Sequence, residues 1–271
     1  GQLVRYVERM ASRYFPDVYS AWCVDSGVSY NGWNTDTTDT LALSGATWNA
    51  GDTVTVTAAG HTPFTSASVG KQYILRSGQN QVTVTVTAYT DSTHVSATLD
   101  TAPHASLQAT ALSDWALATI TLGGLWHLEG REVAILGDGS VQPAATVTDG
   151  EITLPRACGR VVAGLPYTCD LETLNIEAGP PTLQGRQKVI NEVVLRVKDT
   201  RGLSAGPTSD RLVDIKERTT EQPGYPTMLT TGDERVLVDP SWNAQGRVFV
   251  RQANPLPATV VAIIPRIEAG A

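Results

Sequence analysis

The sequence predicts an all-β protein: a small β-barrel module inserted into a larger antiparallel β-sandwich or β-sheet framework. Three observations lead there. Of 271 residues, 34 are Thr and 28 are Val, β-branched side chains that are stiff at χ1 and suit a pleated surface. Several short stretches alternate apolar and polar residues with period two, the pattern of a strand buried on one face. Turn signals built on Gly, Asn and Asp punctuate them, and no long segment has a convincing helical pattern.

Charge density sets the predicted domains. Residues 41–117 carry six charged side chains: Asp52, Lys71, Arg76, Asp91, Asp100 and Asp114. Residues 118–185 hold eight acids and three Arg, and residues 186–271 hold 12 basic and 10 acidic residues. The shifts near 41 and 117 predict a first framework part at 1–40, an inserted barrel module at 41–117 and the rest of the framework at 118–271.

In the module, Thr53-Val54-Thr55-Val56-Thr57 places both valines on one face. Gln81-Val82-Thr83-Val84-Thr85-Val86-Thr87 does the same for three. Turns are expected at 49–52 and 76–80, and further strands at 72–75 and 94–99. Beyond the module, a strand at 132–136 runs into Gly137-Asp138-Gly139-Ser140, a tight-turn signal. Strands at 145–148 and 151–154 flank Asp149-Gly150. Strands at 160–163 and 167–174 flank Gly164-Leu165-Pro166. Residues 189–197 fit helix or strand; Val193-Val194-Leu195-Arg196-Val197 and the turn at Asp199-Thr200-Arg201-Gly202 favour strand. Residues 247–252 and 259–264 complete the set, and only 7–14 has a short helical option.

Composition also excludes. A coiled coil needs heptads rich in Ala, Glu, Lys and Leu, and 41% hydrophobic residues suffice for a sizeable core. A net charge of −7 lacks the basic excess of a general nucleic-acid binder. No stretch of 18 apolar residues offers a membrane span; the best run, Val260 to Ile264, is short and bracketed by Pro257 and Pro265. Gly1-Gln2-Leu3-Val4-Arg5 has no apolar signal-peptide core. Without an initiator Met, the chain is expected to be a piece of something longer.

The residues give no catalytic, cofactor-binding or metal-ligating set. Cys23, Cys158 and Cys169 are odd in number and lack CxxC spacing, so reduced thiols are expected, with one bridge left open between Cys158 and Cys169 as cross-strand neighbours. His61, His94, His104 and His127 share no ligand spacing. Gly27-Val28-Ser29-Tyr30-Asn31-Gly32 is not a nucleophile elbow, and no phosphate-binding glycine motif occurs. Glu129 with Glu132, and Asp36 with Asp39, are nominal carboxylate pairs for glycoside hydrolysis, of the kind any acidic β protein offers. Trp22, Trp33, Trp48, Trp115, Trp126 and Trp242 are scattered and read mostly as core or interface anchors.

An ordered set of motifs carries a resemblance. Arg5-Tyr6-Val7-Glu8-Arg9 leads to Trp22-Cys23-Val24-Asp25-Ser26-Gly27-Val28-Ser29-Tyr30-Asn31-Gly32. Gly124-Leu125-Trp126-His127-Leu128-Glu129-Gly130-Arg131-Glu132-Val133 and Leu136-Gly137-Asp138-Gly139 follow. Then come Gly164-Leu165-Pro166-Tyr167, Leu171-Glu172-Thr173-Leu174 and Arg251-Gln252-Ala253-Asn254-Pro255-Leu256-Pro257-Ala258-Thr259-Val260. Together they resemble the C-terminal part of the tail nozzle (tail tubular protein B-like) family of short-tailed bacteriophages and prophages. Module 41–117 resembles, in fold only, the small β-barrel half-domain of ubiquitin-activating enzymes.

The resemblance implies a structural virion protein, not an enzyme: a tail ring continuing the DNA ejection channel. It implies other phage tail proteins and copies of itself, usually six, as partners, transient contact with passing DNA, and no catalytic residue or cofactor. It implies a place in the virion after synthesis in the bacterial host cytoplasm. A conduit must not hold DNA, which suits a net acidic chain; Arg247, Arg251 and Arg266 are then expected on an outer or subunit-contact surface. The alternative is a host-receptor or carbohydrate-binding tail module touching the host cell surface, with Trp33 and Trp48 as the stacking platform. A polysaccharide-degrading tail enzyme is a third possibility, opposed by the missing β-helix repeat and carboxylate motif.

Overall fold

A computed structural model describes residues 7–10, 12, 15, 17–177, 182–217 and 226–270. It is all-β, as the composition and alternation predict: nineteen strands and four 3-10 turns make up the regular structure of the described residues. The chain divides into two compact units. The described residues of the central unit lie within Gly27–Ala163; those of the flanking unit lie within Gly1–Ser26, Gly164–Thr219 and Pro226–Ala271.

The strands of the first part are β1 (Asp25–Asn31), β2 (Thr40–Ser44), β3 (Thr53–Ala59), β4 (Gln72–Ser77), β5 (Asn80–Tyr89) and β6 (His94–Leu99). After them come β7 (Ala111–Leu112), β8 (Trp115–Gly123), β9 (Glu132–Gly137), β10 (Ser140–Thr146), β11 (Glu151–Cys158) and β12 (Arg160–Leu165). One sheet runs β11-β8-β4-β5-β6-β3-β2-β7 and a second runs β1-β12-β9-β10. The period-two stretches behave as their pattern dictates. Val54 and Val56 of β3, and Val82, Val84 and Val86 of β5, are buried, while the threonines between them lie on the other face. With Leu41, Leu75 and Phe64 they form one core.

The eight-stranded sheet curls back on itself through a single extended stretch. In β7, Leu112 pairs with Leu41 of β2; three residues on, Trp115 of β8 pairs with Leu75 of β4. Residues 111–118 therefore hold both ends of the β2–β6 run. The low-charge stretch 41–117 supplies β2 to β7 and the start of β8, and the same sheet continues along β8 to β11, where Glu151 pairs with Gly123.

The central unit also contains one supersecondary frame twice, offset by 60 residues. A 3-10 turn at Ser66–Ser68 leads through Gly70-Lys71 into the hairpin β4–β5, and a 3-10 turn at Trp126–Leu128 leads through Gly130-Arg131 into β9–β10. The backbone bonds match. Gly70 N donates to Val86 O at 2.8 Å and Val86 N to Lys71 O at 2.9 Å; Gly130 N donates to Val147 O and Val147 N to Arg131 O, both at 3.0 Å. Gly70 and Gly130 both have positive φ, +85° and +72°, which glycine adopts without a Cβ penalty.

The two hairpins use different tight turns. Gly78 alone has positive φ in the first, whereas Asp138 and Gly139 both do in the second, which fits the type II′ and type I′ turns that match strand twist. Asp138 does more than turn the chain. Its carboxylate is buried, accepts from Gly159 N at 3.1 Å and Arg160 N at 2.9 Å, and lies 3.7 Å from the Arg156 guanidinium. It thereby ties the β9–β10 turn to the start of β12.

The flanking unit holds β13 (Cys169–Glu172), β14 (Lys188–Thr200), β15 (Leu203–Thr208), β16 (Arg211–Asp214), β17 (Thr230–Leu237), β18 (Phe249–Gln252) and β19 (Val260–Ala269). They form the sheets β13-β18-β15-β16 and β17-β14-β19. Val193, Leu195 and Val197 of β14 share a core with Ala205, Val236 and Val250, so both sheets bury a face on it. The ambiguous stretch 189–197 is the centre of β14, a strand as favoured. The helical option at 7–14 is not realised at 7–10 or 12; Ala11, Arg13 and Tyr14 lie outside the described residues, as do Arg5 and Tyr6. Among the described residues no helix is long and apolar enough to cross a membrane.

Replacing Asp138 by Ala leaves two backbone donors without their acceptor and puts Ala at positive φ, so Asp138→Ala is expected to cost about 2–4 kcal/mol. Asp138→Asn keeps an acceptor and tolerates the backbone, and should lose about half as much. Urea unfolding midpoints measure both.

Candidate functional site

The chemistry of the flanking unit is concentrated in pairs of charged residues placed opposite each other by strand register. Asp170 of β13 pairs with Arg251 of β18, and their side chains form a fork: Nε to Oδ1 at 2.7 Å and Nη2 to Oδ2 at 2.8 Å. Arg251 also donates to Ser209 O and lies 5.3 Å from the Phe249 ring centre. Arg196 of β14 faces Asp233 of β17 in the same way, at 2.7 and 2.9 Å. Arg247 reaches Glu172 at 3.2 Å and Asn175 at 2.7 Å, and Arg211 pairs with Asp239. Two-pronged guanidinium–carboxylate bonds are the strong, geometrically defined form of this contact.

Glu192 is the one acid of this set that is buried. Its side chain is 9% exposed, and the Nε atoms of Arg235 and Arg266 lie 3.3 and 3.4 Å from its Oε1. Arg266 is its register partner on β19. Both arginines are mostly exposed, so their guanidiniums meet the buried carboxylate at the edge of solvent. Arg247, Arg251 and Arg266, expected on an outer surface, thus each meet a carboxylate of the same unit.

These contacts set the titration of their acids. The Arg251 hydrogen bond holds the Asp170 carboxyl below the usual range, and Arg196 does the same to Asp233. A small recess elsewhere in the unit is lined in part by Thr200, Arg201, Gly202, Glu217 and Glu234. Its polar groups bind one another: Arg201 Nη1 donates to Glu217 O at 2.9 Å, and Gly202 N donates to the Glu217 carboxylate. Burial pushes the Glu217 carboxyl up.

Most residues weighed for catalysis have other partners, and Glu132 is an exposed residue that opens β9. Asp36 accepts from Thr38 N and Oγ1, a local turn that holds its carboxyl down. Asp39 lies 3.6 Å from His61, which stacks on Trp115 with ring centres 5.2 Å apart. Glu129 commits its two oxygens to Asp149 N and Gly150 N, at 3.1 and 2.8 Å. His94 bonds Asp91, His104 accepts from Ser106 N, and His127 sits in a 3-10 turn. The 27–32 stretch belongs largely to β1. The three cysteines are free, with Cys158 buried and Cys169 exposed; burial pushes the Cys158 thiol up to about 12. Among the described residues no group of three or more His, Cys, Asp or Glu is placed to hold a metal ion.

The tryptophans separate clearly. Trp33 carries the Arg76 guanidinium 3.9 Å above its ring and packs against Gly159, where a Cβ would lie 2.9 Å from its Nε1. Trp48 packs on the core. Trp126 and Trp242 are the exposed ones, at 70% and 56%. No protein-family model matches the chain, and no curated protein sequence matches it.

A carboxylate held below its ordinary pKa stabilises the fold above that ordinary value and stops doing so as pH falls through the lowered one. Asp170→Asn removes that dependence. Thermal melts between pH 5 and pH 2 should therefore show a shallower acid limb for the variant than for the wild-type chain, with the difference below about pH 4.

Proposed function

We propose that this chain is a structural component of a bacteriophage tail, part of a nozzle-like ring through which DNA leaves the particle. The reading starts from the ordered motifs that resemble the tail nozzle family. The observation that carries it furthest is the pairing of arginines with carboxylates across the flanking unit. Phosphate affinity comes from cations that displace counterions from DNA. Arg196, Arg247 and Arg251 instead hold acids of their own chain, and the whole chain is net acidic at −7. Such a surface lets a polyanion pass without retaining it.

The carbohydrate-binding alternative loses its named platform. Trp33 is covered by Arg76 and Trp48 faces the core. Of the nominal carboxylate pairs, one member of each, Glu129 and Asp36, binds the backbone of a turn, which counts against the enzymatic alternative.

Two measurements test the proposal. Mass spectrometry of purified phage particles from the producing host should find peptides of this chain at fixed stoichiometry with tail proteins; particles lacking them overturn the assignment. Duplex DNA should bind the chain weakly at physiological salt. The variant Asp170→Asn/Glu172→Gln/Asp233→Asn frees three guanidiniums and should bind more tightly, with a salt slope steeper by about 0.9 per added phosphate contact.

A further inference from the structure

The repeated frame of the central unit provides an internal comparison. Position 126, the first residue of the second 3-10 turn, corresponds to position 66 in the first. There the chain has Ser66, and a 3-10 turn, a glycine of positive φ and the same pair of backbone bonds into a hairpin form all the same. A turn of this kind therefore does not require tryptophan at its first position. Yet the indole stands 70% exposed, where a large apolar ring contributes little to the core.

The ring is also held in place. Its flanks Leu125 and Leu128 are buried, and Leu125 N donates to Gly150 O at 2.8 Å. One side of the indole rests on Gly150, so closely that a Cβ there would lie 2.3 Å from the ring. Glu129 fixes the turn beneath by accepting from Asp149 N and Gly150 N. The exposed aromatic is preorganised and has little conformational freedom to lose on binding.

The stretches that carry and seat the ring are acidic. Glu129, Glu132, Asp149 and Glu151 are exposed on the stretches 126–132 and 148–151, against one guanidinium, Arg131. Four acids and one base give −3. In the first copy, positions 66, 69 and 72 are Ser66, Val69 and Gln72 where the second has Trp126, Glu129 and Glu132. Both the aromatic and two of the carboxylates are additions of the second copy to a shared frame.

We infer that this tip is a docking site for a cationic side chain, arginine or lysine, from a segment of a partner protein. The ring face attracts a cation through its quadrupole, and the carboxylates beside it add charge complementarity. The same four acids repel nucleic acid and anionic lipid. The chain already makes such a contact internally, with Arg76 3.9 Å above Trp33. The inference does not depend on the virion reading.

Titration of the full ¹⁵N-labelled chain with a hexa-arginine peptide tests it, following the indole Nε1–H resonance of Trp126, identified by its loss in Trp126→Ser. Because Ser66 occupies the equivalent place in the first copy, that variant is expected to fold. The expected result is a saturable, salt-weakened shift of the Trp126 resonance, and peptide binding weaker by about tenfold in Trp126→Ser. Glu132→Gln/Glu151→Gln should also weaken binding. A resonance that does not move with the peptide, unchanged affinity in Trp126→Ser, or a shift produced by a neutral oligosaccharide such as maltohexaose in place of the peptide would each overturn the assignment.

Discussion

The central unit depends on one constraint: a sheet that alternates valine inside with threonine outside must turn its apolar face onto itself. The chain meets this by running residues 111–118 past both ends of the β2–β6 series, pairing with β2 and then with β4. Without that stretch, two long strands with one apolar face would stand open, the arrangement that invites uncontrolled pairing. Trp115 sits where the stretch passes from one partner to the other. It packs on Tyr73 and His61, and its indole N–H donates to Asp39 O at 3.2 Å. In the flanking unit the edge is handled differently: β19 ends its sheet and carries Pro265 within it, a residue suited to an edge because it cannot donate to a further strand.

Much of the strand pattern was legible because alternation is a local property. The stretches 53–57, 72–75, 81–87, 94–99, 132–136 and 160–163 are all strands. What escaped was strand whose own composition argues against it. Thr230–Leu237 contains Gly232-Asp233-Glu234, residues that disfavour strand, yet it forms β17 along an edge of β14. Leu203–Thr208 contains Gly206 and Pro207 and is nonetheless β15, between β16 and β18. The β9–β10 turn was visible in Gly137-Asp138-Gly139-Ser140, but the bonds of Asp138 to Gly159 and Arg160 were not. They join residues 21 and 22 positions apart through a fold that no local pattern specifies.

The same limit governed the charged residues. Counting 12 bases and 10 acids in 186–271 gives a net charge, not a map. Register decides whether Arg251 meets Asp170 or solvent, and one residue of slip would move it to the opposite face. The exposed pairs contribute little to stability, since solvent screens them and holding two long side chains together costs entropy. Their effect lies in what they remove from the surface, namely unengaged guanidinium. Glu192 differs: an acid set among apolar strands requires the two arginines above it, so its contribution is to fix which residues of β17 and β19 lie opposite β14.

The duplicated frame has a practical consequence. A turn that forms around Ser66 in one copy and Trp126 in the other is a permissive attachment point, one whose exposed side chain can be exchanged for a probe with the hairpin behind it kept. Cys169 is exposed and Cys23 half-buried, while Cys158 is sealed in the interior. Once the two accessible thiols are replaced by serine, a cysteine introduced at 126 would accept a spin label or fluorophore at a rigidly seated site. The second copy of the frame would then serve as a reporter mount, and the first, at 66, as its matched control on the same molecule.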